Sequence, residues 1–285
     1  MRGRGYRAGE LVAAGLAFRT ERGQIGGAFR DRLVLPYSDA QGAIIGFTAR
    51  RNPATDDIDD APAKYLNTTS TAAFDKSRDL YGLDTAAERR IRAGARVAFA
   101  EGALGVEAIR RTGADVVPLS GCGTAITATH LDQLRATHPG AVVLAVVAFD
   151  ADADADADTA GRAAAVRSWD LLTDDEAGVA SALVLPDGTD PAQLVQNGHG
   201  QALANRLNQP QSLASVVVDA ALDRHNLETV EGRVNALLAA AAVVARIPEA
   251  PLSRVGAQLH PRLAPHTDLG VIASELAIAH AAHGS

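Results

Sequence analysis

The chain of 285 residues predicts an α/β fold: a parallel sheet flanked by helices, preceded by a basic mixed α+β subdomain and followed by a helical C-terminal subdomain. Three observations predict it. Between residues 95 and 195, short apolar runs alternate with amphipathic stretches, the pattern of strands buried on both faces and separated by covering helices. Ahead of them, two apolar runs flank a turn sequence, as in a β-hairpin. After them, apolar residues recur only at helical spacing. The subdomains are expected at 1–93, 94–196 and 197–285.

In the first part, LVLPY and AIIGFTA read as strands joined by the turn SDAQG. Residues 52–63 are acidic, polar and contain proline, so they read as a loop, and LDTAAERRIRAG as a short helix. The middle part runs strand RVAFAEG, helix GVEAIRRTG, strand ADVVPLSG, helix TATHLDQLRATH, then AVVLAVVAFD, the most apolar strand. Helix TAGRAAAVRSWDLLTD, strand ASALVLP and the short helix PAQLVQNG complete it. In such sheets ligands bind beyond the carboxyl ends of the strands. The last part shows no strand pattern. It holds the helices SLASVVVDAALDRHN, TVEGRVNALLAAAAVVARI and LGVIASELAIAHAA, punctuated by Pro210, Pro248, Pro251, Pro261 and Pro265.

Composition narrows the function classes. Apolar residues at 47% and charged residues at 21% fit a globular chain with a sizeable core and exclude a disordered tail. No uncharged apolar run approaches the roughly eighteen residues of a membrane span, so no membrane partner is expected. The basic N-terminus lacks the apolar region and cleavage site of a secretion signal, which makes the expected location cytoplasmic. One cysteine, Cys122, excludes a disulfide framework and a cysteine-rich zinc site.

The net charge of −7 hides a gradient. Residues 1–51 carry nine arginines against Glu10, Glu21, Asp31 and Asp39, whereas acid gathers in DDIDD at 56–60 and in DADADADAD at 150–158. Such asymmetry suits one anion-binding face and one cation-binding pocket. Of 27 basic residues only two are lysines, Lys64 and Lys76, twelve positions apart in AKYLNTTSTAAFDKSRDLYGL. Where arginine serves almost everywhere else, these two positions point to a need for a compact ammonium rather than a planar fork.

Carboxylates follow three of the expected parallel strands: Glu101 after VAFA, Asp150 and Asp152 after VVAF, and Asp187 with Asp190 after LVLP. Gathered at one sheet edge, like charges resist ionisation unless a cation sits among them. Hard oxygen donors of this kind select Mg²⁺ or Mn²⁺.

An EG pair after one strand, a D-x-D after a second and a further acid after a third resemble the Toprim fold of primases, topoisomerases and some nucleases. The flanks narrow the resemblance. FRDRLVLPYSDAQGAIIGFTAR, AKYLNTTSTAAFDKSRDLYGL, PLSGCGTAIT, TAGRAAA and LPDGTDPAQLV are similar, in order and spacing, to the catalytic core of DnaG-type primases, and LETVEGRVNALLAAAAVVARIP to the segment C-terminal to that core. The resemblance covers nearly the whole chain. It implies Mg²⁺- or Mn²⁺-dependent synthesis of short RNA primers from ribonucleoside triphosphates on single-stranded DNA, with a replicative helicase as a candidate partner, although the C-terminal helices read as too short for a full helicase-binding domain. Glu101 would then serve proton transfer or metal placement at the primer 3′ end. Asp150 and Asp152, or Asp156 and Asp158, would hold the metal together with Asp187. Lys64, Lys76, Asn67 and Arg50 or Arg51 would contact nucleotide or nucleic acid.

Three departures accompany the resemblance. The family motif E-G-x-x-D reads EGALG here, so Gly105 stands where an aspartate is expected, and Glu107 could replace it only if the following helix began elsewhere. The acidic tract is longer than D-x-D: the strand end selects Asp150 and Asp152, the helix start TAGR selects Asp156 and Asp158, and the strand end is the firmer frame. No zinc-binding domain of the family's type can be built around Cys122 alone, so template choice is expected to come from a partner such as a separate zinc-binding protein, from another gene product, or not at all, and zinc is not among the expected cofactors. Two alternatives therefore stand beside primer synthesis: a Toprim nuclease using the same acids, and a catalytically impaired module that binds single-stranded DNA or a replication partner.

The remaining candidates read as structural. The eight histidines, His130 and His138 among them, show no metal-ligand spacing and read as surface or cap residues. GCGT at 121–124 reads as a turn that needs glycine for its dihedrals, Cys122 lacks a base nearby in sequence, and Trp169 reads as core.

Overall fold

The computed structural model describes residues 5–55, 58, 62–123, 126–138, 143–147, 164–185, 189–248, 250–264 and 266–284. After the helix Ala8–Ala13, β1 (Ala17–Arg19) and β2 (Ile25–Gly27) form a small antiparallel pair that the sequence pattern did not announce. The expected hairpin follows as β3 (Arg32–Ser38) and β4 (Ile44–Arg51), with Val34 opposite Ala49. Asp39 closes the turn, its carboxylate accepting from the N–H groups of Gln41 and Ala43 at 3.0 and 2.8 Å. Pro36 is tolerated in β3 because β3 is an edge strand. β5 (Tyr65–Asn67) adds a third antiparallel strand beside β4, directly after Lys64.

The second sheet combines β6 (Arg96–Phe99), β7 (Val116–Leu119), β8 (Val143–Val147), β9 (Ser181–Val184) and β10 (Gln211–Ser212) in the order β10-β9-β8-β6-β7. All its pairings are parallel except β9 with β10. Successive residues of a strand point to opposite faces, and here both faces are dry. On β6, Val97 and Phe99 join one core cluster while Ala98 joins the other; on β9, Ala182 and Leu183 divide in the same way. That double burial produces the continuous apolar runs of the sequence.

Helices Thr85–Arg92 and Ala103–Thr112 cover the sheet, the first capped by the Asp84 carboxylate on the N–H groups of Ala86 and Ala87. The long helix expected from TAGRAAAVRSWDLLTD is broken: residues 164–169 are helical, and Thr173 caps a separate helix, Asp174–Val179. Trp169 is core, as expected.

The part expected to be purely helical does more. β10, only two residues long, pairs with β9 and extends the sheet. Helix Gly200–Asn208 buries Leu203 and Leu207 against Val106 and Ile109, and helix Leu213–Asp223 buries Leu213 and Val217 on the opposite face. Helices Val230–Ala245, Leu252–Leu263 and Leu269–His283 enclose a further core with Leu222, Leu259, Leu263, Ile272 and Leu276. Pro261 lies inside Leu252–Leu263 instead of ending it. Among the described residues no helix is long and apolar enough to cross a membrane.

The N-terminal sheet docks on the parallel sheet through aromatic rings. Tyr37 of β3 packs its ring 4.7 Å from Phe74 and 5.3 Å, edge-on, from Tyr81. Gly46 of β4 makes room for this: a Cβ there would lie 2.9 Å from Cγ of Phe74.

Candidate active site

Where the two sheets meet, a cleft of about 800 Å³ is lined from both. Its construction starts at β6. Ala100 still donates to the Leu119 carbonyl of β7 at 2.8 Å, and the Glu101 carbonyl accepts from the Ser120 hydroxyl at 2.9 Å. Ser120 is fully buried, so the backbone that presents Glu101 is fixed before the helix Ala103–Thr112 begins. Glu101, Gly102, Ala103, Leu104 and Gly105 line the cleft from this side.

The facing wall is basic. Arg32, Arg50, Arg51 and Lys64 all line the cleft. Arg32 donates to the carbonyls of Ala63 and Lys64 at 2.7 and 3.3 Å, and Arg51 to that of Pro62 at 2.6 Å, so two guanidiniums hold the backbone that carries Lys64. Arg50 donates to the Arg51 carbonyl at 2.9 Å and lies 5.5 Å from the centroid of the Tyr65 ring, a cation–π contact. Four cations against Asp31, Glu101 and Asp190 leave the described lining net positive, as a site for polyanions requires.

The expected residues divide into groups. Glu101, Arg50, Arg51 and Lys64 come together in the cleft, and Asp190 lines it too. Asp190 also caps helix Pro191–Gln196, accepting from the Gln193 N–H at 2.7 Å. Asn67 is turned to the scaffold, donating to the Cys122 carbonyl at 2.8 Å. Lys76 does not line the cleft and sits on an exposed turn nearby in sequence to Phe74. Asp150, Asp152, Asp156, Asp158 and Asp187 lie outside the described residues. Among the described residues no three metal-ligating side chains cluster.

Gly105 lines the cleft, and Glu107 does not replace its missing carboxylate. The helix starts at Ala103, and two residues beyond Gly105 it faces elsewhere: Glu107 accepts from the Tyr81 hydroxyl at 2.8 Å and from Arg110 at 3.1 Å. Burial and this carboxylate push the Tyr81 phenol up, which keeps it a donor. Cys122 is buried, its thiol pushed up by desolvation beside the Tyr37 phenol, so the thiolate needed of a nucleophile is disfavoured. Its turn takes left-handed dihedrals at Cys122 (φ 47°) and Gly123 (φ 85°), in line with the conformational reading of GCGT.

Sequence reasoning passed over Arg32 and Tyr65. In the sequence Arg32 is one of nine arginines in a basic segment, and Tyr65 adjoins Lys64 without any periodic signal of its own. His130 and His138 are caps, as expected, but both are buried, at 0% exposure for His130 and 6% for His138.

A largely parallel α/β core in which a glutamate follows the interior strand β6, faced by a basic antiparallel sheet and followed by helices, has counterparts among known proteins. Residues 1–87 match the family described as DNA primase catalytic core, N-terminal domain, and residues 215–253 match the DnaB-helicase binding domain of primase. The DNA primase of Streptomyces coelicolor is 34% identical over 250 residues, covering 87% of this chain and 36% of that protein. The DNA primase of Mycolicibacterium smegmatis is 35% identical over 255 residues, covering 87% and 38%. Among solved structures, the RNA polymerase domain of Mycobacterium tuberculosis primase DnaG, in complex with a double-stranded DNA oligomer with a 6-nucleotide overhang, superposes with a TM-score of 0.70 at 31% identity, covering 90% of this chain and 77% of that one. A DnaG primase catalytic domain bound to ssDNA superposes with a TM-score of 0.68 at 27% identity, covering 92% and 78%. This chain belongs to the DnaG-type DNA primase family and corresponds to its catalytic core. It spans little more than a third of the length of the full primases it matches.

Proposed function

We propose that the chain is a Toprim-type nucleotidyltransferase that joins ribonucleotides into a short RNA on a single-stranded DNA template. The observation that carries this reading is the cleft itself, in which Glu101 faces Arg50, Arg51 and Lys64 across about 800 Å³. The cationic wall binds and orients triphosphate or backbone phosphate, and Arg32 with Arg51 holds the Lys64 backbone in place for it. Glu101, on backbone anchored by Ser120, accepts the proton released as the primer 3′ hydroxyl attacks the α-phosphorus of the incoming triphosphate and the bond to the β-phosphate breaks, releasing pyrophosphate. Asn67 keeps the two walls in register.

The donors present suit a hard divalent cation. Glu101 and Asp190 are carboxylates within one cleft, while Gly105 contributes none. Glu101, Asp187 and either Asp150 with Asp152 or Asp156 with Asp158 would hold Mg²⁺ or Mn²⁺, which when bound neutralises developing charge on the phosphates.

The partners come from the same reading: single-stranded DNA, ribonucleoside triphosphates and a replicative helicase. Support for the helicase comes from residues 215–253, where helix Val230–Ala245 exposes Val230, Val234 and Leu238 on one face, four residues apart. The working division remains a basic part at 1–93, a Toprim part at 94–196 and a helical part at 197–285.

Gly105 favours a second reading, a module impaired in metal binding that retains its hold on single-stranded DNA. Primer synthesis from labelled ribonucleotides with Mg²⁺ or Mn²⁺ separates the two, run beside Glu101→Ala, Asp150→Ala and Asp156→Ala. Metal-dependent products lost in Glu101→Ala and in one aspartate variant are expected. Binding of single-stranded DNA with no product under either metal would favour the module.

A further inference from the structure

Lys76 reaches no wall of the cleft, yet the turn that bears it is anchored both by its own side chains and from a neighbouring helix. Within the turn, Asp75 accepts from the Ser77 N–H and hydroxyl at 2.9 and 2.7 Å, and Arg78 grips Asp79 with two bonds of 2.9 Å. From outside, two bonds come from the start of helix Ala128–Thr137: the Thr127 hydroxyl donates to the Ser77 carbonyl at 3.1 Å, and Nε2 of His130 meets the Lys76 carbonyl at 3.1 Å.

His130 occupies a position normally held by Glu or Gln. In a capping box the third helical residue accepts from the N–H of the capping residue, and the cap returns the bond. Here Nδ1 of His130 accepts from the Thr127 N–H at 3.2 Å, and the Thr127 hydroxyl accepts from the His130 N–H at 3.2 Å. An imidazole has a second nitrogen on the far side of the ring. Because the Lys76 carbonyl can only accept, Nε2 carries the proton, and because Nδ1 is accepting, the ring is neutral. Full burial supports that state by disfavouring the imidazolium, against the Lys76 carbonyl and the nearby Asp79 carboxylate, which favour it. One side chain thus caps a helix and fixes the backbone of the turn that carries Lys76.

We infer that His130 is a positioning residue for Lys76: as a neutral imidazole it holds the backbone of the turn so that the ammonium meets nucleic-acid phosphate beside the cleft. This rests on the proposed primase reading, in which Lys76 contacts nucleotide or nucleic acid. A purely structural histidine would stabilise the helix, and its replacement would change phosphate binding equally with and without Lys76.

The test uses the full chain with a labelled single-stranded DNA oligonucleotide. His130→Asn leaves an acceptor near Nδ1 and removes the donor that reaches Lys76. His130→Gln closes the capping box with a longer arm and cannot bond in two opposed directions, so it serves where the first variant melts early. Each is expected to weaken DNA binding by about three- to tenfold, the scale of one hydrogen bond. The same step is expected to vanish in a Lys76→Ala background, the non-additivity that marks a shared interaction. An equal step in both backgrounds, or unchanged binding in a folded variant, overturns the inference while leaving the primase reading intact. Unchanged binding in Lys76→Ala alone overturns instead the role of Lys76 on which the inference stands.

Discussion

The side-chain amide of Asn67 donates to the backbone carbonyl of Cys122 across 2.8 Å, tying β5 of the N-terminal sheet to the turn that follows β7 of the parallel sheet. Cys122 is 4% exposed, and among the described residues the buried Asn67 amide oxygen has no hydrogen-bond partner. Asn67→Ala is expected to destabilise the protein by about 1–3 kcal/mol, because it strands a buried carbonyl. Thermal melts read this directly, and an unchanged midpoint would mean that the joint carries no stability.

The basic wall makes a prediction about salt. If Lys64 and Arg50 each neutralise one phosphate of a single strand, Lys64→Ala and Arg50→Ala should each flatten the plot of log affinity against log salt by about 0.7. Fluorescence titrations at several salt concentrations measure the slope. Slopes equal to that of the unmodified chain would move the phosphate track away from this cleft.

Gly105 can be tested by restoring a carboxylate. A Cβ at this position would stand 3.2 Å from the Ala100 Cβ and 3.8 Å from Cγ of Pro191, so an aspartate fits once Ala100 gives by a few tenths of an ångström. Gly105→Asp is expected to tighten Mg²⁺ binding by roughly tenfold, since carboxylate count tunes such sites. Calorimetric titration of Mg²⁺ provides the readout, with Gly105→Ala as the control for packing. Equal affinity in both variants would show that the position does not face the cation.

A partly buried ion pair sets an acid-side dependence. Arg135 grips Glu176 with bonds of 2.9 and 2.8 Å, and these bonds hold the Glu176 carboxyl below its ordinary value of 4.5. A carboxyl depressed on folding contributes stability that is present above its unfolded pKa and is lost as pH falls through the folded one. Melting temperatures should therefore fall as pH drops below about 4.5, and less steeply in Glu176→Gln. An identical acid limb in the variant would assign the dependence to other carboxylates.

Gly232 inverts the usual preference for alanine in helices. It lies in the first turn of Val230–Ala245, where a Cβ would fall 1.9 Å from the Asn226 carbonyl oxygen and 2.8 Å from the Thr229 hydroxyl that caps this helix. Gly232→Ala is expected to cost about 1–3 kcal/mol as overpacking, despite alanine's higher helix propensity. Denaturant unfolding would reveal it, and a stabilised variant would contradict the close approach.

The parallel sheet is legible in the chain, because strands dry on both faces read as continuous apolar runs, and so is the family resemblance, because LVLPY, the two-lysine stretch and RVAFAEG follow one another in a recognisable order. The sequence also singles out Glu101, Arg50, Arg51 and Lys64, which the structure gathers into one cleft. It did not announce β1, β2, β5 or β10, since strands of two or three residues have too few positions for a period to emerge. Nor could spacing reveal that Glu107 belongs to Tyr81 and Arg110, that Asn67 belongs to Cys122, or that His130 bonds the Lys76 carbonyl 54 residues away in sequence. Such bonds depend on where two separately built surfaces meet. Local periodicity reports which face of an element is buried, and tertiary packing alone decides what that face touches.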